Sequence, residues 1–206
     1  MRSKRSFKAL FWPTFIELLF FMLMGTVDTL MLSNYSDYAV GSVGNANTLI
    51  IMFSVLLLIV SNGVAVLVSQ YLGAKKEEVA HRMIGTGIIV NFVIGFILAS
   101  ALILSADLLL NLVNTESVLF DNSKTYLSVI AISLFFVSVS NVITASLRSY
   151  GFAKYITMVV IIANVLNIIG NFVLIYGYLG FPRLGVYGAA LSTLIVRALM
   201  MLIYFF

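Results

Sequence analysis

Six apolar runs, each about 20 residues or longer, fill this chain, and only three charged residues, Glu17, Asp28 and Arg197, stand inside them. At a helical rise of about 1.5 Å per residue, each run crosses a hydrocarbon core of roughly 30 Å. In lipid the backbone must satisfy its own hydrogen bonds, so runs of this length and hydropathy span as α-helices. The spans are read over 9–33, 46–69, 84–106, 126–147, 156–178 and 186–206. With 62% hydrophobic and 10% charged residues, the 206 positions leave no stretch for a soluble domain. The expectation is an all-α membrane protein with one transmembrane domain over 1–206. The first run is too long for a signal-peptide core and lacks a small-residue cleavage site, so it reads as a retained span.

The net charge of +4 reports orientation and not a nucleic-acid surface. Arg2, Lys4, Arg5 and Lys8 precede the first span, Lys75, Lys76 and Arg82 lie in the second loop, and Arg148 and Lys154 in the fourth. The opposite loops hold only Lys124 and Arg183. Nine basic residues against two place both termini in the cytoplasm and the chain, multi-pass, in the plasma (inner) membrane. Trp12 and all ten tyrosines lie near the expected span ends, where amphipathic rings prefer the headgroup level. Cysteine is absent and His81 is a single histidine, so thiolate metal sites, cysteine nucleophiles and catalytic triads have no material. No phosphate-binding glycine loop occurs either. An enzyme is not expected, nor is an organic cofactor.

A charge at membrane depth costs several kcal/mol and is kept for pairing or for function. Glu17 and Asp28 are eleven residues apart, about three turns plus 20°, so both project from one face of the first helix. They are roughly 16 Å apart along the axis, too far to share one ion. Each is read either as a neutral, hydrogen-bonded packing group or as a proton or cation site facing a wet cavity; Asp28 is the deeper. On the fifth span Asn164, Asn167 and Asn171 form one stripe at i, i+3 and i+7, which must face protein or a cavity. Similar faces carry Ser138, Asn141 and Thr144 on the fourth span, Gly87, Asn91 and Gly95 on the third, and Asn47, Ser54 and Ser61 on the second. Such small and weakly polar stripes are read first as helix-packing surfaces. Arg197 either snorkels to the cytoplasmic interface or pairs with a buried carboxylate or an anionic substrate. Asn141, Asn164 and Arg197 are the candidate lining of a substrate cleft.

The string WPTFIELLFFMLMGTVDTLMLSNYS, followed by AVGSVGNANTLI, resembles the multidrug and toxic compound extrusion (MATE) family. VSQYLGAKKEE, SLRSYGFAKY, NVLNIIGNFVLIYG and GVYGAALSTLIVR follow in the family's order, so the resemblance covers nearly the whole chain. It implies a transporter of two six-helix lobes around a central cleft, in which Na+ or H+ entry drives export of amphipathic, often cationic, compounds. Asp28 of the VDT string matches a coupling position, and Asn167, Asn171 and Thr193 match positions that complete a cation site in the first lobe. Asn171 stands where some members carry aspartate, which leaves Na+ and H+ both open. Glu17 is a further coupling candidate.

Only the first lobe is represented, so the partners implied are the lipid bilayer, an amphipathic small molecule and a second six-helix lobe. The expectation is a piece of a longer transporter; a split or homodimeric transporter is the other arrangement, since parallel lobes need both termini on one side. A lipid-linked saccharide flippase lobe is the nearest alternative, although its cleft would need several cationic residues. An inactive membrane assembly module is the third reading.

Overall fold

A computed structural model describes residues 7–205, with side chains from Phe11 onward except Phe21. Arg2, Lys4 and Arg5, and Phe206 at the end of the last expected span, lie outside the described residues. The chain folds as α1 (Phe7–Ser33), α2 (Asp37–Gly73), α3 (Glu77–Leu104), α4 (Ala106–Leu112), α5 (Ser117–Tyr150), α6 (Ala153–Tyr176) and α7 (Gly185–Phe205). All but the short α4 are long and apolar enough to cross a membrane, and no strand occurs among the described residues.

Two helices far outrun their apolar windows. α2 has 37 residues and α5 has 34, against expected spans of 46–69 and 126–147. Hydropathy marks where lipid lies, whereas helix continues wherever the backbone can keep its hydrogen-bond ladder. The polar first turns of α5 persist because they pack on α2. The Ser42 hydroxyl donates to the Leu119 carbonyl at 3.2 Å, and the Ser123 hydroxyl donates to the Ser42 carbonyl at 3.0 Å. Helix ends follow local chemistry: Gly151 (φ 91°) closes α5 and Gly177 (φ 77°) closes α6, both in the left-handed conformation that glycine adopts freely.

α5 is the hub, packed against α2, α3 and α7, while α6 leans on α7 and α1 leans chiefly on α6. The glycine stripe of the third span is a packing surface. A Cβ added at Gly95 would sit 2.5 Å from the Ser138 hydroxyl, and one at Gly87 would sit 2.6 Å from Val64 Cγ2. Between them Asn91, fully buried, donates to the Ser61 hydroxyl at 3.0 Å and the Ser138 carbonyl at 2.7 Å, joining α2, α3 and α5.

The outward faces differ in chemistry. α3 exposes Ile89, Val93 and Phe96, and α6 exposes Ile162, Val165 and Ile169, surfaces suited to acyl chains. α1 exposes Gly25, Thr26 and Thr29 among apolar side chains such as Met22 and Leu30, and α2 exposes Gly44, Thr48 and Asn62 among others such as Ile51 and Ile59. The three threonine hydroxyls donate back to Met22, Gly25 and Gly44 carbonyls, which lowers the cost of placing them at membrane depth.

Candidate functional site

The asparagine stripe of α6 turns inward: Asn164 is 4% exposed, and Asn167 and Asn171 are fully buried. Because α1 lies against α6, Asp28 meets the end of this stripe. Asn171 Nδ2 donates to Asp28 Oδ1 at 2.5 Å and to Asn167 Oδ1 at 3.3 Å. Asn167 Nδ2 in turn donates to the Thr193 hydroxyl at 3.3 Å and the Ser192 hydroxyl at 3.5 Å. The Ser192 hydroxyl donates back to the Asn167 carbonyl at 3.2 Å. One polar chain therefore runs from α1 through α6 to α7.

A second set of buried polar groups gathers around the hub helix. Tyr126 of α5, expected at the headgroup level, is instead 5% exposed inside the bundle. The early start of α5 explains the difference, since it puts Tyr126 well inside the helix. Tyr126 interacts with Asn47 of α2 and lies within the electrostatic reach of both Asp28 and Arg197. Arg197 does not run to the interface. Its Nη1 donates at 2.7 Å to the hydroxyl of Ser133, itself fully buried. A buried hydroxyl acceptor holds the guanidinium against α5.

The other sequence candidates stand apart from this network. Glu17 pairs with Arg148 Nη2 across α1 and α5 at 2.5 Å. Asn164 Nδ2 donates to the Val160 carbonyl of its own helix at 2.9 Å. Asn141 is half-buried on α5, its backbone carbonyl accepting from the Thr144 hydroxyl at 3.2 Å. Sequence reasoning gave no site role to Tyr126, Asn47, Ser133 or Ser192. The signal available was spacing: Tyr126 and Ser133 are seven residues apart and share a helix face once α5 is extended.

The donor set suits a small hard cation. Asp28, Asn167, Asn171 and Thr193 offer oxygen atoms, and Asn171 Oδ1 is buried with no hydrogen-bond partner. Among the described residues no cluster of three histidine, cysteine or acidic side chains occurs. With Asp28 as the only carboxylate in the network, the site matches a monovalent ion or a proton better than a divalent metal.

A protein-family model described as MatE matches residues 13–173. The chain belongs to the MatE family. The match takes in Asp28, Asn167 and Asn171, whereas Ser192, Thr193 and Arg197 lie past its end. Among curated relatives, this MatE chain is 38% identical over 191 residues to the uncharacterized transporter YisQ of Bacillus subtilis, covering 93% of this chain and 42% of that one. It is 32% identical over 177 residues to a probable multidrug resistance protein NorM of Thermotoga maritima, covering 85% of this chain and 38% of the relative. It thus spans less than half the length of the curated relatives it matches. Its fold is that of solved MATE transporters: a MATE crystallised with MaD3S superposes with a TM-score of 0.86 at 22% identity, over 95% of this chain and 43% of that one. An outward-facing multidrug resistance MATE transporter gives 0.83 at 22% identity, with the same coverage.

Proposed function

We propose that this chain forms one six-helix lobe of a cation-coupled exporter of amphipathic, often cationic, compounds. The observation that carries the reading is the buried chain Asp28–Asn171–Asn167–Thr193, whose one carboxylate joins α1 to α6. α1 has few neighbours other than α6, so what occupies Asp28 bears directly on how α1 is held. A proton on Asp28, or Na+ beside it, changes the bond to Asn171 and with it the seating of α1. Efflux then follows if the two seatings of α1 favour opposite openings of the cleft.

The relatives named as multidrug resistance proteins support the substrate class, and the exposed Thr26 and Thr29 of α1 and Thr48 and Asn62 of α2 support a second lobe or a wet cleft beside them. The flippase alternative loses ground because Arg197 is the one basic residue inside the expected spans, and its Nη1 is taken up by Ser133. Orientation follows from the basic bias, with both termini cytoplasmic.

The test joins the chain to a second lobe, native or duplicated, and measures drug efflux driven by a Na+ or proton gradient. Asp28→Asn keeps the shape and removes the exchangeable charge, so coupled efflux is lost at matched expression. Wild-type efflux from that variant would overturn the coupling role. The natural chain lacks cysteine. Single cysteines at Asp37 or Asn122 therefore label from outside intact cells, and one at Lys76 only after permeabilisation; labelling of Lys76 in intact cells reverses the orientation.

A further inference from the structure

α1 and α6 run side by side, and near their N-terminal ends the seam between them opens into a groove of about 500 Å3. Its floor is formed by Pro13 and Thr157, both buried, where the Thr157 hydroxyl donates to the Pro13 carbonyl at 3.0 Å. Ile16 and Ile161 wall it, and it opens sideways beside the apolar outer face of α6. At its mouth stand Trp12, 56% exposed, and Lys154, exposed in the first turn of α6. Lys154 is the one charged residue among the described residues lining the groove, and it forms no ion pair with any of the described residues.

We propose that this groove seats an acyl chain of an anionic phospholipid, whose phosphate meets the Lys154 ammonium while Trp12 stands at the headgroup level. The walls are apolar and their length suits a chain. Lys154 and Ile161 are seven residues apart, about 10 Å along α6, against roughly 15 Å for the hydrocarbon depth of one leaflet. A lysine stem is itself apolar and carries its charge out to the interface. Charge complementarity selects the occupant. A cationic amphiphile of the kind proposed for export meets a like charge at the mouth, and a zwitterionic lipid brings its own ammonium towards Lys154. The leaflet is the cytoplasmic one on the orientation proposed above; the groove itself does not depend on it. A lipid seated there touches both helices and so bears on the seam that holds α1.

Trp12 is the one tryptophan of the chain, so its fluorescence reports on the groove without labelling. The purified chain is placed in vesicles of phosphatidylcholine and phosphatidylglycerol, with tryptophan-quenching bromines on the acyl chains of one lipid or the other. Quenching of Trp12 shows a preference for phosphatidylglycerol of about fivefold, the effect of one lysine at a membrane surface. Lys154→Gln brings the two lipids within roughly twofold, whereas Lys76→Gln, in a loop on the same side, leaves the preference intact. Equal quenching by both lipids in the wild type overturns the proposal, as does a preference that Lys76→Gln removes as fully as Lys154→Gln. No quenching by either lipid means that protein covers the groove, a second copy or a second lobe, and overturns it too. Excess glycerol 3-phosphate leaves the quenching unchanged; displacement by it would make Lys154 a soluble-anion contact with no seated chain. If Lys154→Gln does not purify, salt decides in the wild type. The preference shrinks severalfold between about 0.01 and 1 M salt, as the screening length falls from about 30 to 3 Å, and a preference indifferent to salt overturns the role of Lys154.

Discussion

Glu17 and Asp28 ride on one helix, project from one face, and are held in opposite ways. Glu17 touches the guanidinium of Arg148 directly, with side chains 20% and 40% exposed, and Arg148 belongs to the hub helix. Nearby, the Thr157 hydroxyl donates to the Pro13 carbonyl at 3.0 Å, tying the same end of α1 to α6. Asp28 is met by the neutral amide of Asn171. A carboxylate bound directly by arginine has little reason to release it, so Glu17 acts as a strut that pins the N-terminal half of α1. A carboxylate bound by an amide keeps lone pairs for an exchangeable partner. The two ends of α1 thus divide into a pinned end, held by an ion pair, and one held by a neutral amide, which is the responsive end on the function proposed above.

The contrast breaks most sharply if the two carboxylates exchange behaviour on neutralisation. Glu17→Gln should lower unfolding stability by about 1–2 kcal/mol, between the values for exposed and buried pairs, because Arg148 loses its partner while its Nε is already buried without one. Its Na+ response, read as thermal unfolding against Na+ with choline holding ionic strength constant, should stay that of wild type. Loss of the Na+ response with unchanged stability would move the ion site to Glu17. Asn171→Asp sharpens the other side by placing a second carboxylate against Asp28. The expected result is a protein less stable in choline and about tenfold more sensitive to Na+, roughly 1.4 kcal/mol at equal concentration. An Asn171→Asp protein indifferent to Na+ would argue that Asp28 exchanges protons only. The smallest effect belongs to Thr157→Val, which removes one hydrogen bond to Pro13 and should cost about 0.5–1.5 kcal/mol without altering ion response. A changed Na+ affinity in that variant would mean that the pinned end and the responsive end are not separate.

Much of this was open to reading from residues alone. The asparagine stripe of α6 was visible as spacing, and Asp28 as a charge where lipid should be, since both follow from helical period and the cost of burying polar groups. The meeting of Asp28 with Asn171 was not, because they lie far apart in sequence and helix pairing is set by surfaces that carry little sequence signature. The burial of Tyr126 inside the bundle was hidden for a related reason. Hydropathy located the edge of the lipid, whereas the start of α5 depended on serine contacts with α2.

By itself, then, the chain's order of residues determined six membrane-spanning helices and the family to which they belong. Local physics suffices there: a long apolar run has no other stable form in a bilayer, and family strings keep their order along the chain. The partners of the buried charges were decided only by the tertiary structure. Arg197 had an interface within reach, and Glu17 and Asp28 looked alike along their shared helix. What separated them was the neighbour supplied by each packed helix: Arg148 on α5 for Glu17, Asn171 on α6 for Asp28, and Ser133 on α5 for Arg197. An electrostatic interaction depends on distance and local dielectric, and neither exists for these groups until the helices have packed.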